Sequence, residues 1–250
     1  MTPHIEAPFG SIASCVIISG DPLRTQAMSK KFLINAILVS KTRNMLIYTG
    51  YYQGLRVSFA SGGIGVASMA VYVYELYKFY NVQIIIRTGS CGSLKNDYEL
   101  GDVLNVHKAF AVQPYLQEFY SQLSITVNPE IETCINETAK KIKIPLISNI
   151  NALTDENFYF FDHLKFFAKK EIYNLDVVEM ESYILFVYAL LFQKDAACLL
   201  TVTDLLAFHN QEQKYKILKK SSPQERSNSL FSMFKIALET CLIFYQKKIK

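Results

Sequence analysis

The amino-acid sequence predicts an α/β fold: a single domain over residues 1–250 with a mixed, mostly parallel central sheet flanked by helices. Two observations carry this. Short apolar runs bounded by Gly, Asp, Asn or Ser alternate with longer patterned stretches, the rhythm of strands joined by crossover helices. Several of the runs are apolar throughout, as strands buried on both faces are. A composition of 50% hydrophobic and 19% charged residues over 250 positions is ample for a large core.

The strand candidates are, in order, "CVIIS" (15–19), "LRVSFAS" (55–61), "VQIIIRTG" (82–89), "DVLNVHKAFA" (102–111), "LISNINAL" (146–153) and "AACLLTVTD" (196–204). Between the second and third, "GVASMAVYVYELYKFY" follows a glycine cluster and is too long and dense for one strand. It reads as a buried helix completing a βαβ crossover. Near the C-terminus, Ser222, Pro223 and Glu225 form a capping box, after which Leu230, Phe234, Ala237, Cys241 and Phe244 recur at helical spacing. The polar, lysine-rich stretch 208–222 before that helix reads as an exposed loop or short helix bordering a site.

Composition also excludes. The net charge of +4 is mild, and no basic block is interleaved with aromatic residues, so nucleic acid is not an expected partner. Cys15, Cys91, Cys134, Cys198 and Cys241 are odd in number and lack ligand spacing. They read as reduced core thiols of a cytoplasmic protein, with no metal site. "MTPHIEAPFG" has neither a basic nor an apolar leader region, and no stretch has the length of a membrane span without a polar break, so a soluble protein is expected.

In open α/β sheets ligands gather beyond the carboxyl ends of the strands, and the sequence can be read there directly. After the first strand comes "GDPLR", Gly20 to Arg24: either a turn with a solvated arginine, or a glycine and a cation facing a ligand. The third strand closes on Arg87, Gly89 and Ser90. A guanidinium ending an isoleucine run needs an anion, either a tetrahedral oxyanion or a buried carboxylate such as Asp102 or Glu99. "VVEMES" (177–182) sets Glu179 and Glu181 among apolar neighbours, where they could accept from a sugar diol or form a capping ion pair. "TVTD" ends the last strand on Asp204, a helix N-cap or a catalytic acid.

Taken together, "TPHI" (2–5), GDPLR, the Arg43–Gly50 stretch, "IIIRTGSCG" (84–92), "VEMES" (178–182), TVTD and the P-x-E-R of residues 223–226 resemble, in this order, the bacterial hexameric purine nucleoside phosphorylases of the nucleoside phosphorylase-I superfamily. The resemblance runs from Thr2 to about Phe244. It implies reversible phosphorolysis of purine (deoxy)ribonucleosides, with inorganic phosphate as co-substrate and no cofactor. It implies a phosphate site of Gly20, Arg24, Arg87 and Ser90, completed by Arg43 of a neighbouring subunit. Glu181 would hold the ribose diol, Met180 would cover the sugar, and His4 would reach the 5′-hydroxyl across a subunit interface. The base would lie near Cys91, Gly92, Phe158, Val178 and Glu179. Asp204 would protonate N7, with Arg226 swinging toward it. The implied assembly is a homohexamer, a trimer of dimers.

Two departures stand out. The stretch after Asp204 is longer than in the family and apolar at Leu205–Phe208, and "SGGIG" (61–65) replaces a histidine-containing glycine loop. Among neighbouring classes, a uridine phosphorylase would carry a Gln/Arg pair where this chain has "ALTDENFYFFDHL" (152–164). A methylthioadenosine or S-adenosylhomocysteine nucleosidase would not need Arg24 and Arg43, and a nucleoside-binding protein on the same fold would not need Asp204.

Overall fold

A computed structural model describes residues 1–111, 113–158, 170–209 and 214–249, leaving aside the side chains of 119, 208, 209, 214, 215, 223–229 and 246–249. Eleven strands form one sheet: β1 (Cys15–Ser19), β2 (Ile34–Ser40), β3 (Ile47–Tyr52), β4 (Leu55–Ser61), β5 (Ile84–Ser93), β6 (Val103–Ala111), β7 (Ser124–Thr126), β8 (Ile147–Thr154), β9 (Val177–Glu179), β10 (Asp195–His209) and β11 (Lys214–Lys220). The described helices are α1 (Pro22–Phe32), α2 (Gly65–Phe79), α3 (Pro114–Tyr120), α4 (Pro129–Lys141), α5 (Ser182–Phe192) and α6 (Pro223–Ile249).

All six strands expected from the apolar runs are present, and they build the centre. β4, β1, β5 and β10 pair in parallel, with Ile17 between Phe59 and Ile86, and Ala197 opposite Ile86 on the other side. These strands are buried on both faces, which is why their sequences are continuous rather than alternating. α2 is the crossover helix expected between β4 and β5, burying Val66, Met69, Val73 and Leu76. α6 starts at Pro223, as the capping box predicts, and its Met233, Phe234, Ala237 and Cys241 are fully buried, with the Phe234 ring 5.5 Å from Phe59.

The sheet contains more antiparallel pairing than the sequence suggests. β2–β3–β4, β10–β11, β6–β7, β5–β9 and β6–β10 all run antiparallel. The pairings β5–β10–β6–β8–β9–β5 close into a ring. The strands that sequence reading missed are the short β7, β3, and the edge strands. β2 is largely exposed, so no burial pattern marks it.

The described part of stretch 208–222, which leaves out 210–213, is mostly strand rather than the loop or short helix expected. β10 continues past Asp204 to His209, and β11 returns against it, with Asp204 opposite Lys220. Lysines on an outer strand keep an edge solvated and discourage further pairing, so the composition of a protected edge resembles that of a loop. All five cysteines are buried, and none is in a disulfide. Among the described residues no helix is long and apolar enough to cross a membrane.

Candidate active site

The carboxyl ends of β1, β4, β5 and β10 open onto one cleft of about 600 Å³. Of the residues predicted from sequence, Gly20, Arg24, Arg87, Ser90, Cys91, Gly92, Val178, Glu179, Met180, Glu181 and Asp204 all line it.

At one end, β1 passes through Gly20 into α1. Asp21 is the N-cap, its side chain accepting from Leu23 N at 2.8 Å, and Pro22 takes the first helical position. The turn is therefore a built helix start, and Arg24 lies half-buried in its first turn. A cation there opposes the helix dipole, so an anion in the cleft would stabilise the arrangement. A Cβ at Gly20 would lie 3.0 Å from the Gly63 carbonyl oxygen, and Gly63 itself has φ +74°. The two strand-end turns thus abut so closely that any side chain at Gly20 would be crowded.

Arg87, 4% exposed, has its anion inside the protein. Its Nη2 donates to Glu181 Oε2 and lies 3.3 Å from Glu179 Oε2, while Nη1 lies 3.6 Å from Cys198 Sγ. The carboxylates considered from sequence, Asp102 and Glu99, are not its partners: Asp102 accepts from the Glu99 backbone N–H at 2.8 Å, closing a local turn. Gly89 makes room for the guanidinium, since a Cβ there would fall 1.8 Å from Nη1.

Burial alone would lower the proton affinity of Arg87, but the charges of Glu181 and Glu179 outweigh it and hold the guanidinium charged. Glu181 shifts up, because burial and the neighbouring Glu179 exceed what Arg87 returns. Burial likewise pushes Cys91 up, and Cys198 up to about 12, so neither thiol is poised as a nucleophile.

Glu179 closes β9 and organises the start of α5. Its carboxylate accepts from the backbone N–H groups of Glu181 (2.8 Å) and Ser182 (3.0 Å), and from the hydroxyls of Thr154 (2.5 Å) and Ser182 (2.6 Å). The capping ion pair considered from sequence is therefore its arrangement here. Glu181 keeps Oε1 on the backbone N–H of Gly65 at 2.6 Å, so the glycine turn before α2 also orients it.

Asp204 lies inside β10, which removes the helix N-cap alternative. A β-bulge at Thr203 shifts the register so that Asp204 pairs opposite Gly92. Such bulges re-aim side chains beside active sites. Thr203 Oγ1 donates to Asp204 Oδ2 at 2.9 Å, whereas Oδ1 is buried with no partner among the described residues. A buried carboxyl oxygen left open in a cleft wall is a position for a ligand.

Three predicted residues, Phe158, His4 and Arg43, are elsewhere, and the side chain of a fourth, Arg226, lies outside the described residues. Phe158, 2% exposed, packs with Leu94, Phe110, Leu153 and Val178 in an apolar cluster, where it supports Val178 rather than lining the cleft. His4 and Arg43 lie outside the cleft of their own chain: His4 Nδ1 is 2.7 Å from Glu75 Oε1, and Arg43 is exposed with φ 55°. Cleft residues that sequence reading missed include Ser68, Asp155 and Thr203. Asp155 directly follows β8, a placement that could have found it, whereas Ser68 lies in the first turn of α2 and Thr203 inside β10.

The sequence profile of the phosphorylase superfamily matches residues 14–231. A "Purine nucleoside phosphorylase DeoD-type" of Colwellia psychrerythraea is 35% identical over 244 residues, 96% of this chain and 99% of the relative. Proteins of the same description from Mycoplasma pneumoniae (33% over 215 residues, 84% and 89%) and Brevibacillus brevis (31% over 246 residues, 97% and 100%) are also similar.

Proposed function

The chain belongs to the phosphorylase superfamily, and from that premise we propose that its cleft catalyses reversible phosphorolysis of purine nucleosides, giving free base and pentose 1-phosphate. The observation that carries this is the set of groups gathered in one cleft. Two arginines, a serine, Glu181 and Asp204, with an open carboxyl oxygen, all line it. That set fits phosphate, sugar and base.

Residues 1–250 act as one phosphorylase domain. Phosphate is held by Arg24, Arg87 and Ser90, and Gly20 exposes backbone N–H to it. It serves as nucleophile and as counter-charge to the oxocarbenium-like sugar. Glu181 takes the 2′ and 3′ hydroxyls against Met180. Asp204 donates a proton to N7 of the departing purine, with Arg226 assisting as the site closes, while Cys91, Gly92, Val178 and Glu179 border the base. No cofactor takes part. The setting is cytoplasmic purine salvage.

The test is base release from inosine, adenosine and uridine with and without phosphate. Purine release that requires phosphate is expected. Release in water alone would indicate a nucleosidase, uridine preference would indicate a pyrimidine enzyme, and binding without release would reduce the protein to a nucleoside binder.

Gly89→Ala supplies a narrower check. The added methyl evicts the Arg87 guanidinium, so the phosphate KM is expected to rise by on the order of ten-fold, the worth of one charge-assisted hydrogen bond. An unchanged phosphate KM would remove Arg87 from the phosphate site.

His4 and Arg43 complete a neighbour's site rather than their own, which supports a homohexamer built as a trimer of dimers. Light scattering at assay concentration is expected to give about six times the 28.5 kDa chain mass. A fully active monomer would overturn this arrangement.

A further inference from the structure

We infer that Glu75 is a positioning residue for recognition of the substrate's 5′-hydroxyl, acting through His4. The inference rests on the reading above, in which His4 serves the cleft of an adjacent copy.

Glu75 lies on α2 and is 5% exposed, a burial that a carboxylate tolerates only with partners. All its described partners come from the first four residues of the chain. Oε2 accepts from Thr2 Oγ1 and from the His4 backbone N–H at 3.3 Å, and Oε1 pairs with His4 Nδ1 at 2.7 Å. The segment is fastened again just beyond, where Tyr80 Oη donates to the carbonyls of Ile5 (2.7 Å) and Ala7 (3.0 Å), and Ile5 is fully buried. Chain ends are usually mobile. This one is pinned at a buried acid, and its imidazole remains one-third exposed.

The proton logic follows from the partners. An ionised carboxylate only accepts, so Nδ1 must carry the hydrogen in their contact. In the neutral ring Nε2 then presents a lone pair outward. A second carboxylate-fixed nitrogen is how histidines are commonly oriented for a ligand on the far side. The group this edge recognises is a hydrogen-bond donor, which the 5′-hydroxyl of a nucleoside provides. Tyr72 links this patch to Arg43: burial raises the Tyr72 hydroxyl, Arg43 lowers it and Glu75 raises it. Both residues assigned to a neighbouring cleft lie outside the cleft of their own chain.

The experiment compares kcat and KM of the intact oligomer for three substrates: a purine nucleoside, its 5′-deoxy analogue, and its 5′-deoxy-5′-fluoro analogue, which matches the hydroxyl in size but cannot donate. The parent protein is expected to favour the hydroxyl substrate, with the fluoro analogue grouping with the deoxy one. Glu75→Gln is expected to raise KM for the hydroxyl substrate roughly five- to ten-fold, with kcat nearly unchanged, and to leave the 5′-deoxy substrate within about two-fold. Glu75→Asp, whose shorter side chain withdraws from Nδ1, is expected to show the same loss.

If His4→Ala leaves the hydroxyl preference intact, the placement of His4 at the 5′ position fails. If His4→Ala abolishes the preference and neither Glu75 variant does, the positioning role of Glu75 fails. Equal losses on all three substrates, or a changed oligomer mass, would make Glu75 purely structural and overturn the inference. So would a fluoro analogue that binds as well as the hydroxyl.

Discussion

Replacement of Asp204 by Asn is expected to cut turnover of ordinary purine nucleosides by roughly 10²- to 10⁴-fold, the range typical of losing a general acid. Nucleoside binding is expected to survive. The structure favours this outcome over a collapse of the fold, because Asp204 is neither a helix cap nor part of an ion pair among the described residues. It sits beyond a bulge with Oδ2 on Thr203 and Oδ1 open. A nucleoside already alkylated at N7 is the deciding substrate. Its base departs neutral and needs no proton, so the variant should cleave it nearly as fast as the parent does. Misfolding would harm both substrates alike. If the asparagine variant is equally poor with both, Asp204 holds structure only, and the acid must be another cleft group.

The second large effect is expected at Arg87, and the structure changes how it should be measured. Removing the side chain in Arg87→Met deletes a proposed phosphate ligand. It also strands Glu179 and Glu181, both nearly inaccessible, beside one another. Breaking a buried ion pair from one side typically costs about 3–5 kcal/mol, so this variant is expected to lose much of its thermal stability. Arg87→Lys separates the two roles. It keeps a positive charge near the carboxylates but lacks the planar fork that grips an oxyanion with two bonds. The lysine variant is expected to remain folded, with kcat/KM for phosphate reduced by about 10²-fold, the worth of one or two charge-assisted hydrogen bonds. Affinity for free purine base, measured without phosphate, should hardly change. Equal loss of phosphate and base affinity would refute assignment of Arg87 to phosphate.

Arg87 also illustrates what a sequence can and cannot say about a site. That an arginine ending an isoleucine run requires an anion is legible from the run alone. Which anion is not. Glu181 lies 94 residues away, and it reaches Arg87 only because β9 pairs with β5 and delivers the start of α5 to the cleft. Glu179 is similar: its setting among apolar residues announces a satisfied carboxylate, yet the hydroxyls and N–H groups that satisfy it come from β8 and α5. Phe158 shows the reverse. The resemblance leads us to expect it at the base, while packing puts it in an apolar cluster with Val178.

For the fold, the central strands and the two clearest helices could be read because burial on both faces writes continuous apolar runs, and helical burial writes a period near 3.6. These signals are local. β2 and β11 escaped because edge strands are stabilised from one side and carry solvated or exposed side chains, so no period marks them. From the sequence came the α/β class, the strand ends that carry the chemistry, and the residue types gathered there. Tertiary structure alone decided the ring of pairings from β5 through β10, β6, β8 and β9, the bulge that turns Asp204, the carboxylates that hold Arg87, and the acid on α2 that captures His4. All of these depend on register between segments far apart in the chain, and register is set by the packing of the whole sheet rather than by any one stretch of it.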